Sequence, residues 1–141
     1  MYIVGIDPGR TNGVCILRVE GNVVTVHASY ETTDVQTVAA ELENWAEFDR
    51  QTTVVIEDFV GSGMRSADHV WTMKAVGFFQ LLSIRLGLQT RLNPPQARYA
   101  FITEAETLGL TSHRKAAGAH ALSWARSTWR VERAHVNTDA P

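Results

Sequence analysis

The chain is short of several things, and each shortage excludes a class of protein. Its 141 residues include one cysteine, Cys15, so no internal disulfide can form and a disulfide-stapled scaffold is excluded. Cys15 lies in a strand-like run and reads as a small core residue in a reducing cytoplasm. No apolar run approaches the roughly 18–20 residues that a membrane span needs. The sequence enters a strand at once, with no signal-peptide pattern, so neither a membrane nor export is expected. No linker or repeat divides the chain. A single domain over 1–141 is expected, with its core over about 2–128 and a tail over 129–141.

An excess of charge is also missing, since the formal net charge is only −2. The balance is uneven along the chain, however. Residues 1–58 hold three arginines against ten acids, or −7, while residues 59–133 hold ten Lys and Arg against four acids, or +6. Such a split suggests one surface made for a polyanion, because phosphate contacts supply most sequence-independent affinity. Solvated helix faces are the plainer reading.

What the sequence does have begins at its first residues. Tyr2-Ile3-Val4-Gly5-Ile6 is apolar without polar alternation, as in a strand covered on both faces. Pro8-Gly9 then forces a turn and leaves Asp7 at the strand's end. Thr53-Val54-Val55-Ile56-Glu57-Asp58 repeats that logic. Two buried strands that each end in a carboxylate can build a divalent-cation site. Strand alternation points Asp58 away from the face of Glu57.

Periodicity supplies the rest. Val14–Val19 and 22–28, separated by Glu20-Gly21, predict a hairpin. Thr33-Asp34 opens a helix carrying Val35, Val38, Leu42, Trp45 and Phe48 at helical spacing. Ser66 caps a long helix that reaches about Leu86 and stops at Gly87. A strand over 88–92 ends at Asn93-Pro94-Pro95, a short helix covers 96–102, and a last helix runs from about Ser112 to Thr128. The order β-β-β-α-β-α-β-α-α predicts an α/β fold, a mixed five-stranded sheet with helices on both faces.

The run Ile3-Val4-Gly5-Ile6-Asp7-Pro8-Gly9, then Val54-Val55-Ile56-Glu57, then a last helix opening near His113 resembles the RuvC family of Holliday-junction resolvases, of the ribonuclease H-like superfamily. The resemblance covers about residues 2–128, and the small size is similar to bacterial and phage members. It implies a homodimer that nicks four-way DNA junctions symmetrically, with two Mg²⁺ or Mn²⁺ ions per active site. Carried over position by position, it makes Asp7, Glu57 and His113 metal ligands. Its fourth ligand falls on Ala116, where an aspartate is expected, so the catalytic set reads Asp7, Glu57, His113 and Ala116. His113 and Ala116 stand at i and i+3, on one helical face.

Alanine binds no metal, and no acid lies within 107–131. Either catalysis was lost and junction binding kept, or an aspartate was replaced to allow binding without cutting. The three intact positions favour the second, and an ordinary core alanine remains the plain alternative. His120, two turns beyond His113, reads as packing or support. The resemblance places a junction wedge after Glu57, with Phe59 the candidate and core packing the alternative. Arg65, His69, Lys74, Arg114 and Lys115 are the DNA-binding candidates. Trp71, Ala75, Phe78, Phe79 and Leu82 form a stripe suited to core or dimer contact. Gly5–Gly13 is also similar to the first phosphate loop of actin-like ATPases, but those need two such domains, so no nucleotide cofactor is expected. A junction-binding pseudo-nuclease, or a nuclease of flaps and forks, stays open.

Overall fold

The fold is described from a computed structural model, which describes residues 1–59 and 66–138. The strands are β1 (Tyr2–Asp7), β2 (Asn12–Glu20), β3 (Val23–Thr32), β4 (Thr53–Glu57) and β5 (Gln89–Asn93). They form one sheet in the order β3-β2-β1-β4-β5. β2 is antiparallel to both β1 and β3, whereas β4 is parallel to both β1 and β5. The helices are α1 (Val35–Phe48), α2 (Ala67–Arg85), α3 (Ile102–Thr107) and α4 (Ser112–Thr138), with a 3₁₀ helix over Pro95–Phe101 ahead of α3.

The unalternated strands are explained by two cores. Val4, Ile6, Val14, Ile16, Val54 and Ile56 point to one face, where α1 and α2 bring Val38, Leu42, Val76 and Phe79. Ile3, Cys15, Leu17 and Val55 point to the other, where α4 brings Ala117, Ala121, Leu122 and Ala125. The buried central strands therefore have no polar face to show in the sequence.

Element starts follow local chemistry. The Asp34 carboxylate accepts from the Gln36 N–H, and the Ser66 hydroxyl oxygen accepts from the His69 N–H. Gly87, with φ of +77°, ends the α2 segment where a side chain would be strained.

Three expectations shift. β3 runs on to Thr32. The segment expected as a helix over 96–102 winds as 3₁₀ and is followed by α3. α4 continues to Thr138 rather than stopping near Thr128, so helix replaces most of the expected tail. Among the described residues, no helix is long and apolar enough to cross a membrane.

Candidate active site

Strand alternation decides which side chains meet. Ile6 of β1 stands opposite Ile56 of β4, so Asp7 and Glu57 follow as neighbours at the carboxyl ends of parallel strands. Both share parity with Gly5 and Val55 and therefore face α4. The turn behind Asp7 is held by Asn12, a buried side chain whose Oδ1 accepts from the Gly9 N–H at 3.1 Å.

α4 lies against the strands backbone to backbone. A Cβ on Gly5 would fall 2.1 Å from the Ala117 carbonyl oxygen, and one on Gly13 2.2 Å from that of His113. Only glycine permits this approach. Glu31 of β3 adds a clamp, its Oε1 accepting from the His113 N–H at 2.9 Å. Slight desolvation opposes it, but hydrogen bonds from Ser112, His113 and Arg114 hold the Glu31 carboxyl below its ordinary pKa.

This docking sets His113 and Ala116 over the strand ends. His113 Nδ1 lies 2.9 Å from Asp7 Oδ2. Arg98, from the 3₁₀ helix, donates to Glu57 Oε1 at 3.1 Å. His120 is fully buried, with Nε2 3.6 Å from Glu57 Oε2. The two carboxyls respond in opposite ways. Burial pushes Asp7 up to about 7, reinforced by its hydrogen bond to Glu57 and opposed by His113. Burial also raises Glu57, but the neighbouring His120 ring, the Asp7 carboxyl and the Arg98 guanidinium prevail and hold it low. Of the two carboxyls, Asp7 therefore takes up a proton the more readily.

A cavity of about 680 Å³ opens over these groups, and Asp7, Glu57, Phe59, Arg98, His113, Lys115 and Ala116 line it. All four catalytic positions read from the sequence thus meet in one place, Ala116 included. Among the described residues, no three of His, Cys, Asp and Glu form a ready metal-ligand set. Asp7 is engaged by His113, and Glu57 by Arg98 and His120.

The DNA-binding candidates divide. Phe59 lines the cavity, stacks at a tilt on His69 with centroids 5.3 Å apart, and also packs on the core beneath α2. Lys115 lines the cavity while pairing with Glu106 at 3.2 Å. Lys74 instead flanks an apolar recess with Val35, Trp71 and Phe78. Arg114 turns to the Thr111 hydroxyl at 2.8 Å. Arg65 lies outside the described residues. Among the described residues, several cations of the basic half are engaged away from the cavity. Arg85 sits beside Arg50 and Glu47, Arg91 stacks over Trp124 at 4.5 Å, and Arg126 pairs with Glu104.

Sequence reasoning missed Arg98, whose only signal was a cation soon after Asn93-Pro94-Pro95. It read His120 as packing or support, and the structure sets that buried ring beside Glu57. It also turned Asp58 away, yet β4 ends at Glu57, so alternation lapses and Asp58 lines the cavity rim.

No family profile matches the chain, and no curated protein sequence does. Solved structures do. RuvC from Thermus thermophilus in complex with a Holliday junction substrate aligns with a TM-score of 0.68 at 19% identity, over 90% of this chain and 96% of that one. A second Thermus thermophilus RuvC structure gives 0.62 at 20%, over 91% and 97%. The fowlpox virus Holliday junction resolvase gives 0.61 at 12%, over 91% and 99%. At such identities the likeness speaks for the fold, which is ribonuclease H-like and of the kind these resolvases share.

Proposed function

We propose that the protein is a divalent-metal-dependent endonuclease of four-way DNA junctions, working as a homodimer and impaired in this chain by Ala116. The observation that carries this reading is the meeting of Asp7, Glu57, His113 and Ala116 in one cavity at the ends of two parallel strands. The fold shared with junction resolvases supports the substrate class.

The donors suit a hard dication, with two carboxylates and one imidazole at hand. The raised Asp7 carboxyl fits as well, since two acids forced together and desolvated are what a nearby cation would relieve. Asp7, Glu57 and His113 would hold Mg²⁺ or Mn²⁺, with Asp7 and His113 giving up their contact with one another. When bound, the ion would lower the pKa of an attacking water and stabilise the charge on the phosphate. His113 can take a proton or orient the water, standing at the cavity mouth on Asp7. Arg98 and Lys115 offer charge to the phosphate from the cavity wall. Ala116 offers nothing, so one cation is expected to bind and the second of the pair to bind poorly.

The test is gain of function. As given, the chain should bind four-way junctions in Mg²⁺ but cut them poorly, and Ala116→Asp should raise cleavage by orders of magnitude. Adding Asp7→Asn should abolish it again. A flap and a linear duplex assayed alongside settle the substrate. Equal cutting of the flap favours the wider branched-DNA reading, and no gain from Ala116→Asp overturns the site.

A further inference from the structure

Behind Glu57 lies a buried polar string that the proposed reaction leaves unused. His120 follows His113 and Ala116 at i+7, so all three share one face of α4. Asn93 ends β5 directly beside Glu57 in the sheet register. Its Nδ2 donates to Ser123 Oγ at 2.8 Å and lies 3.4 Å from His120 Nδ1. Ser123 Oγ in turn donates to the His120 carbonyl oxygen at 2.7 Å.

The directions of these bonds fix one another. The Ser123 hydroxyl hydrogen is committed to a carbonyl, so Ser123 Oγ must accept from Asn93, and the group turned to it is the Asn93 amide nitrogen. That nitrogen carries two hydrogens and accepts nothing, so the second points to His120 Nδ1, which must accept it. The ring proton then lies on Nε2. That atom has no hydrogen-bond partner in the structure, and Glu57 Oε2 stands 3.6 Å away. A buried donor left unpaired is costly, and a small turn of the carboxylate closes the gap. Arg98 already occupies Glu57 Oε1 from the other side.

We infer that His120 is a positioning residue for Glu57, a neutral Nε2–H donor whose tautomer is set by Asn93 and Ser123. Arg98 and His120 together fix both oxygens, so Glu57 meets a cation in one orientation. The inference rests on the reading of Glu57 as a metal ligand, yet its geometry can be tested without any metal. It requires no change in the protonation of His120.

Three measurements on the full chain test it. Long-range ¹H–¹⁵N spectra of the metal-free protein should show the His120 ring protonated at Nε2 only. The Glu57 carboxyl ¹³C resonance should move in His120→Leu and return toward its place in His120→Gln, which keeps a donor at similar reach. Mn²⁺ affinity should fall about 10–100-fold in His120→Leu, the usual cost of losing an outer-shell partner, with most of it regained in His120→Gln. If the leucine variant does not fold, Asn93→Ala should release the tautomer and weaken Mn²⁺ in the same direction. A ring protonated at Nδ1, or a Glu57 resonance indifferent to His120→Leu, overturns the inference. Should the unmodified chain bind no Mn²⁺, the metal reading falls while the two metal-free measurements still decide this one.

Discussion

On one face the sheet meets Ala117, Ala119, Ala121 and Ala125 of α4, and on the other it meets Val38, Leu42, Trp45 and Phe79 of α1 and α2. The first face is closed mainly by small α4 side chains around Leu122, with Gly5 and Gly13 letting helix and strand backbones touch. The second is closed by volume. Volume packing tolerates adjustment, because bulky side chains can re-pack. Backbone contact does not, and the α4 face is the one that bears Asp7, Glu57, His113 and His120. The site stands where the spacing is least adjustable.

The largest effect expected from this contrast is at Gly13. A methyl there meets the His113 backbone at 2.2 Å. Gly13→Ala should therefore cost about 3 kcal/mol, the upper end for overpacking, and should displace His113 from Asp7. Gly77 of α2 is the matched control, since a Cβ there meets nothing within 4 Å. Gly77→Ala should stabilise by about 0.5–1 kcal/mol through helix propensity and unfolded-state entropy. Urea unfolding of both variants measures the contrast, and equal effects would dissolve it.

A smaller effect separates the two carboxylates. Burial pushes Asp7 up to about 7, so its protonated form favours the fold. Its contribution to stability is whole below about pH 4 and is lost as pH rises through 7. Glu57, held low, has the opposite sign and loses its contribution as pH falls. Asp7→Asn should thus gain on the order of 2 kcal/mol at pH 8 and little at pH 4. Mg²⁺ at pH 8 should raise the Tm of the unmodified chain and leave the Asn variant unmoved. A gain at pH 4 as large as at pH 8 would show that burial does not act through the Asp7 proton.

Much of this arrangement was legible in the sequence. β1 and β4 announced themselves as unalternated runs because both of their faces are covered, and Asp7 and Glu57 as the acids that end them. His113 and Ala116 came only from the family resemblance, which implies a pair at i and i+3 of the last helix. Less legible was whatever depends on the path of a third element. Arg98 reaches Glu57 from the 3₁₀ turn over 95–101, and His120 stands beside it because α4 docks across the strand ends. The close approach at Gly13 was hidden for the same reason: a glycine in a strand does not say which backbone crosses it. The charge split said little about any one face, because its cations lie on separate elements and Arg91 and Arg126 pair locally, with Trp124 and Glu104.

The volume-packed face also differs in what it leaves uncovered. α2 buries Ala75, Val76 and Phe79, yet Val70, Trp71, Met73, Phe78, Leu81 and Ile84 remain exposed, Leu81 by 55% and Ile84 by 56%. A helix apolar on nearly all sides is usually covered on nearly all sides, and the dimer proposed above would supply the cover. A two-fold axis across α2 would set Leu81 and Ile84 near their own copies, so like charges placed there would repel across it. Leu81→Asp with Ile84→Asp should therefore produce a monomer by sedimentation. Exposed positions seldom shift intrinsic stability by more than about 0.5 kcal/mol, so the monomer should remain folded. The Tm of the unmodified chain should rise with protein concentration and that of the variant should not. An unmodified chain that sediments as a monomer at micromolar concentration removes the dimer, and with it the paired nicks expected of two symmetric sites.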